Sequence, residues 1–252
     1  MRYTRIVTGG RIISAAMKVD GGLIGSDGRE YNPKEVTWLP PVSPSKIIGV
    51  VLNYGEHAGE LGLTTGEEPV LFFKPLSSMI GNRGAIVYPR GAKYMHYEAE
   101  LAVVIARPAR RVSQDRAFSF VKGYTIANDV TVRDFVTNTF RPPVKAKGFD
   151  TFCPIGPCVV TIDEVPDITN LGIITKVNGQ IRQQGNTQQL IHSVPKIIEF
   201  ITEFMTLEPE DLILTGTPKG ISPIVPGDKI EITIDNLGTL ESMVVSDEEV
   251  MS

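Results

Sequence analysis

The chain has 252 residues, 42% hydrophobic, 21% charged and 7% aromatic, with 25 Lys and Arg against 29 Asp and Glu for a formal charge of −4. That composition excludes a disordered chain, and the length suits one large domain, or a main domain with a small appendage, around a real core. The negative balance without a basic tract argues against nucleic acid, 2 cysteines exclude a disulfide scaffold, and no run of about 18 apolar residues is present to span a membrane.

Thr8, Gly9, Gly10 and Arg11 interrupt any signal-peptide core near the N-terminus, so a soluble, cytoplasmic globular protein is expected. A polar, turn-rich stretch at 26–33 is followed by Leu39-Pro-Pro-Val-Ser-Pro-Ser45, whose prolines read as a stiff linker. This divides the chain into a small β-rich element at 1–43 and a main domain at 44–252. Strands are then expected at 46–52, 70–73, 97–105 and 123–128. A hairpin is expected at 173–177 and 180–183 around Asn178-Gly179, a dipeptide suited to a two-residue turn. Further strands follow at 212–215, at 229–234 with Ile230, Ile232 and Ile234 on one face, and at 239–245.

Helices are fewer. Val194, Ile197, Ile198, Ile201, Phe204 and Met205 keep the three-four spacing of an amphipathic helix, with Ser193 as its cap and Pro195 in its first turn. A second helix is expected at 114–122, capped by Ser113 and stopped by Gly123. No βαβ alternation is present. The class is α+β, dominated by β, and a doubly wound nucleotide-binding fold is disfavoured.

Several residues bear on chemistry. Period two puts Glu98 and Glu100 on one strand face, and Asp129 ends the next strand. Carboxylates without imidazole suit a hard cation, Mg²⁺ or Mn²⁺, although on spacing alone a solvated strand edge is the simpler account. His57 and Glu60, three apart, would form a carboxylate-oriented general base on a helix, and Gly55, Gly59 and Gly62 would let that segment move as a lid; alone, a polar surface loop with an incidental histidine is the simpler account. Lys74, Arg133 and Lys147 singly read as solvated surface charges, the usual fate of such residues, and together would bind an anionic ligand. The loop at 215–220 is glycine-rich without phosphate-loop spacing and would offer N–H groups and hydroxyls to an anion. His96 is placed behind the acidic pair, His192 at a helix start, and Cys153 and Cys158 as buried thiols.

Taken in order, Val51-Leu-Asn-Tyr54 with His57 and Glu60, Leu71-Phe-Phe-Lys-Pro75, Tyr97-Glu-Ala-Glu-Leu101, Ala127-Asn-Asp-Val-Thr-Val-Arg-Asp134, Lys147-Gly-Phe-Asp-Thr-Phe-Cys-Pro-Ile-Gly156, Val177-Asn-Gly179 and Leu214-Thr-Gly-Thr-Pro-Lys-Gly220 resemble the fumarylacetoacetate hydrolase superfamily. The resemblance covers roughly 46–245. It implies a mixed β-sandwich roll, one Mg²⁺ or Mn²⁺ held by Glu98, Glu100 and Asp129, a lid pair His57 and Glu60, an active-site Lys147, and a homodimer. Asn53, Tyr54, Lys74, Arg133, Arg141 and Thr217 are the expected contacts to a small anionic 2-oxo acid.

Thr139-Phe-Arg-Pro142, Gly185-Asn-Thr187 and Glu203-Phe-Met-Thr-Leu207 look nearest the family's isomerase/decarboxylase branch of homoprotocatechuate (4-hydroxyphenylacetate) breakdown. That branch decarboxylates 5-oxopent-3-ene-1,2,5-tricarboxylate and isomerises 2-hydroxyhepta-2,4-diene-1,7-dioate. Val136 stands where many hydrolase relatives carry Gln, which fits this branch better than theirs. The expected activity is therefore metal-dependent decarboxylation or isomerisation of an unsaturated 2-oxo or 2-hydroxy diacid. The alternatives are a C–C bond hydrolase of acylpyruvate or fumarylacetoacetate type and an oxaloacetate-type decarboxylase. A carboxylate-binding protein without turnover would not need the proton-transfer pair.

Overall fold

The structure is a computed structural model and describes residues 1–62, 66–136, 142–165 and 167–251. Its framework is a long mixed sheet. Arg2–Thr8, Cys153–Thr161, Val121–Asn128, Ala99–Ile105, Leu212–Leu214, Ile47–Val51 and Val70–Lys74 lie side by side in that order. A second sheet orders Gln180–Asn186, Gly172–Val177, Lys229–Ile234, Gly238–Ser246 and Ala85–Tyr88. The two pack face to face, Val121–Asn128 against Lys229–Ile234 and Cys153–Thr161 against Gly238–Ser246. A small third sheet joins Thr131–Val132, Met95–His96 and Pro223–Ile224 beside the acidic pair. This is the β-dominated α+β roll expected from the strand pattern.

Alternation along Ala99–Ile105 explains how it can be buried on both faces. Leu101, Val103 and Ile105 enter the main core with Ile126, Val160, Ile173, Ile232 and Leu240. Ala102 and Val104 enter a second cluster with Ala127, Cys153, Ile155 and Leu214. Helix Val194–Phe204 closes the main core through Ile197, Ile198 and Ile201, each worth roughly 1.5–3 kcal/mol on full burial. Ser193 caps it, accepting from Lys196 N–H at 3.4 Å. Phe204 departs from the expected apolar face: it is 56% exposed and stands edge-on to Phe200 at 5.7 Å.

Two other expectations are corrected. The segment read as a helix at 114–122 is a 3₁₀ turn, Gln114–Phe120, and Ser113 makes no side-chain cap to it. Gly123 does not stop a helix. It lies inside Val121–Asn128, where a Cβ would meet Val160 O at 2.2 Å in the neighbouring strand. The proline-rich stretch at 39–45 is docked rather than free. Ser45 N–H, Ser45 Oγ and Lys46 N–H donate to Asp211 Oδ1 at 2.9, 2.7 and 3.0 Å, and Val42 is buried. The N-terminal strands continue the long sheet, with Arg2 opposite Val160 and Tyr3 opposite Val159. No helix among the described residues is long and apolar enough to cross a membrane.

Candidate active site

The register of two strands builds the acidic cluster. Ala99 lies opposite Asn128 and Glu100 opposite Ala127 in an antiparallel pair. One residue beyond that pairing, Glu98 faces Asp129: Asp129 N–H donates to Glu98 O at 2.9 Å, and Glu98 N–H donates to Asn128 Oδ1 at 3.0 Å. On the other edge, Leu212–Leu214 runs on to Gly216, whose φ of 95° turns the chain and lays its N–H on Glu100 Oε2 at 2.6 Å. Ligand oxygens of Glu98, Glu100 and Asp129 thus lie within 4.8 Å of one another. Their residues are 5%, 2% and 0% exposed, so the alternative of a solvated strand edge is excluded.

Three cations compensate them. The Lys147 ammonium, at the end of helix Val144–Lys147, donates to Glu98 Oε2 at 2.9 Å, to Asp129 Oδ2 and to Thr131 Oγ1 at 2.8 Å. It also lies 4.9 Å from the Phe72 ring centre. Lys74 donates to Asp129 Oδ1 and to the Lys147 carbonyl, both at 2.6 Å. Arg133 Nη2 donates to Glu98 Oε1 at 2.5 Å.

The titration pattern follows from this layout. Burial alone would raise the Glu98 carboxyl, but Lys147 and Arg133 outweigh it and hold the group down at about 2. At Glu100 the balance is reversed: burial and the charges of Asp129 and Glu98 outweigh Lys147 and the Gly216 N–H and push it well above the carboxylate range. Burial works against the Lys147 ammonium, yet Asp129 and Glu98 raise its pKa. This donor set fits a hard divalent cation. It offers buried oxygens without imidazole or thiolate, and it includes a carboxylate whose ionisation awaits positive charge.

The pair expected to form a lid is beside this cluster. His57 and Glu60 lie on helix Gly55–Glu60, with His57 Nδ1 and Glu60 Oε2 3.1 Å apart. Glu60 Oε2 also accepts from Gly220 N–H at 3.4 Å, which ties the helix to the 215–220 loop. The His57 ring is buried and near enough to Glu98 to help hold that carboxyl down.

The expected substrate contacts divide into two groups. Tyr54 has a buried hydroxyl with no hydrogen-bond partner among the described residues, its ionisation opposed by burial and by Glu100. Among the described residues, Arg133 Nε has no partner, and Thr217 Oγ1 accepts from Gln183 at 2.8 Å with no acceptor for its own proton. These remain open to a ligand. Asn53 and Lys74 do not. The Asn53 amide donates to His192 O at 3.0 Å and to Thr215 O at 2.9 Å and accepts from His192 N–H at 2.7 Å, so it fastens loops together. Lys74 is buried at 3% exposure with its ammonium committed to Asp129 and Lys147, so it serves the acidic cluster rather than an outside anion. Arg141 lies outside the described residues.

Sequence reasoning missed Thr131, which lies two residues after Asp129. Its hydroxyl stands 3.1 Å from Glu98 Oε1 and receives Lys147. It also read the 215–220 loop as a cradle for an outside anion, whereas the anion Gly216 holds is Glu100. His96 sits near Glu98, Arg133 and Glu60 with neither ring nitrogen partnered among the described residues, and burial and Arg133 lower its pKa. Cys153 and Cys158 are free, buried thiols, pushed up by burial to about 12 and about 11.

Residues 46–245 match the fumarylacetoacetate (FAA) hydrolase C-terminal family, and the chain belongs to that family. A 4-hydroxyphenylacetate degradation bifunctional isomerase/decarboxylase of Salmonella dublin is 43% identical over 212 residues, covering 84% of this chain but 49% of the relative, so this chain spans about half of that protein. The structure of a 5-carboxymethyl-2-hydroxymuconate delta-isomerase from Mycobacterium smegmatis superposes with a TM-score of 0.88 at 40% identity, covering 98% of this chain and 99% of the other. A maleylpyruvate hydrolase from Sphingobium sp. SYK-6, solved with manganese(II) and pyruvate, superposes with a TM-score of 0.83 at 30% identity, covering 98% and 99%. Relatives of this chain are thus enzymes that isomerise, decarboxylate or hydrolyse.

Proposed function

We propose that the protein is a divalent-metal-dependent enzyme that isomerises or decarboxylates an unsaturated 2-oxo or 2-hydroxy diacid. The observation that carries this reading is the convergence of Glu98, Glu100 and Asp129 within 4.8 Å, next to Lys147 and the His57–Glu60 pair. Glu98, Glu100 and Asp129 would hold Mg²⁺ or Mn²⁺, which supplies Lewis-acid stabilisation of negative charge developing on a 2-oxo group. The manganese and pyruvate named with the Sphingobium relative support that choice of ion and of substrate class.

The chain's own groups take the remaining roles. Glu60 fixes the His57 ring through Nδ1, leaving Nε2 to carry the proton along the substrate. Lys147 adds a second positive charge beside the same carboxylates. Arg133 Nε and the Tyr54 and Thr217 hydroxyls are the donors open to substrate oxygens. Helix Gly55–Glu60, tethered through Gly220, would shield the buried His57 ring from water, with Glu60 on its solvent side. A homodimer in the cytoplasm belongs to the same proposal; Val70, Phe73 and Leu76, at 56%, 54% and 46% exposure near the end of the long sheet, offer a partner copy apolar surface.

Product analysis over a panel of 2-oxo diacids, with Mg²⁺ or with chelator, tests the reading. Loss of conjugated dienoate absorbance without cleavage marks the isomerase, and release of CO₂ marks the decarboxylase; chelator should abolish either. Release of acetate or pyruvate would instead assign a C–C bond hydrolase. Full activity in chelator overturns the metal reading. The same preparation should elute with the mass of a dimer, and a monomer mass removes that part.

A further inference from the structure

Each carboxylate of the acidic cluster has one oxygen held by a donor other than Lys147, and a different element supplies each of these donors. Asp129 Oδ1 accepts from Lys74 at 2.6 Å. Glu100 Oε2 accepts from Gly216 N–H at 2.6 Å. Glu98 Oε1 accepts from Arg133 at 2.5 Å and lies 3.1 Å from the Thr131 hydroxyl. The opposite oxygens, Asp129 Oδ2, Glu98 Oε2 and Glu100 Oε1, are what remains for a cation, and Lys147 already sits on Asp129 Oδ2 and Glu98 Oε2.

A carboxylate fixed through one oxygen presents a cation with a single ligand atom. Mg²⁺ and Mn²⁺ are satisfied by single oxygens in near-octahedral geometry. Ca²⁺ is larger, takes about 6–8 oxygens and often uses both oxygens of a carboxylate.

We propose that Lys74 is a metal-selecting residue: by holding Asp129 Oδ1 it makes Asp129 a one-oxygen ligand and sets the centre for a small octahedral cation against Ca²⁺. The inference rests on reading Glu98, Glu100 and Asp129 as metal ligands. Lys74 is built for this part. Its side chain is 0% exposed, and its second bond, 2.6 Å to the Lys147 carbonyl, keeps the ammonium from swinging away. Of the three donors it is also the cleanest to remove. Gly216 acts through its backbone, and Arg133 has a nitrogen left for substrate. Lys74 touches no reacting group, so its role is positioning.

Charge alone complicates absolute affinities. Taking away Lys74 removes positive charge beside the centre and strengthens binding of every divalent cation alike. The ratio of Ca²⁺ to Mn²⁺ affinity cancels that common effect and isolates the geometry.

The test follows free Mn²⁺ by electron paramagnetic resonance on the full chain, with Ca²⁺ or Mg²⁺ as competitor. Wild type should favour Mn²⁺ over Ca²⁺, and in Lys74→Met that preference should fall at least tenfold. A ratio that changes less than twofold overturns the proposal while leaving the metal centre standing. Should Lys74→Met fail to fold, wild type decides alone, because Ca²⁺ displacing Mn²⁺ as readily as Mg²⁺ does also overturns it. Absence of any bound Mn²⁺ on wild type is a different result, which removes the metal reading and this proposal with it.

Discussion

Glu100 is the residue on which charge and fold pull in opposite directions. Its carboxylate is buried, accepts one backbone N–H and faces two other carboxylates, so its pKa in the folded chain stands well above the ordinary value. A group raised on folding gives its full stabilisation below the unfolded pKa and loses it as pH climbs through the folded one. Metal-free protein should therefore lose stability as pH rises above the carboxylate range. Glu100→Gln keeps an oxygen for Gly216 and removes the charge. In chelator at pH 8 it should melt above wild type by roughly 1–4 kcal/mol of stability, the order found when buried charges give way to neutral groups. Mg²⁺ or Mn²⁺ should then raise the wild-type melting temperature and leave the variant unmoved; a variant that responds equally to metal would remove Glu100 from the ligand set. The Glu98 and Glu100 pair was legible in the sequence because strand period is local. The commitments of Lys74 and Asn53 were not, since their partners lie 55 and 139 residues away and only the tertiary fold brings them together.

Glycine shows the same division between local and distant causes at the level of elements. Asn178-Gly179 could be read directly: both residues take positive φ, 52° and 78°, as a two-residue hairpin turn requires. The strand Lys229–Ile234 was legible with its bounds because its isoleucines alternate. Gly123 was misread, because what it needs is room for a neighbouring strand rather than a helix stop. A Cβ there would stand 2.2 Å from Val160 O and 2.9 Å from Thr161 Cα, both backbone atoms that cannot rotate away. Gly123→Ala should cost at least about 1–3 kcal/mol in urea unfolding. Gly59 is the control. It lies in helix Gly55–Glu60 with no neighbour among the described residues within 4 Å of the point where an added methyl would stand, and Gly59→Ala should be neutral or stabilise by about 0.5–1 kcal/mol. Equal losses at both sites would mean that the contact with Val160 does not decide the outcome.

Across the whole molecule, the question is whether the N-terminal strands form a unit of their own. Sequence suggested a division near residue 43, because composition changes there and prolines cluster. Composition is silent about hydrogen bonds to distant chain, and several such bonds cross the division. Arg2–Thr8 pairs with Cys153–Thr161, Thr4 Oγ1 donates to Pro157 O at 2.8 Å, and Arg83 reaches Pro33 O at 3.0 Å. The core of the N-terminal strands themselves is a cluster of four buried residues, Ile6, Ala15, Leu23 and Trp38, too little apolar surface to offset the ordering of some 40 residues at about 1–2 kcal/mol each. Those strands should therefore unfold with the main sheet. The chain supplies a probe, since Trp38 is its one tryptophan and lies in strand Thr37–Leu39, paired with Arg2–Thr8. Tryptophan fluorescence reports that element alone, and far-ultraviolet circular dichroism reports the strands of the whole chain. The two should give one midpoint in urea. Asp211→Ala, which strips the buried carboxylate from Ser45 and Lys46, should shift both curves down together, by about 1–3 kcal/mol for the N–H groups left without an acceptor. A fluorescence transition that precedes the loss of dichroism would show instead that the first strands come away as a separate unit and that the long sheet stands without them.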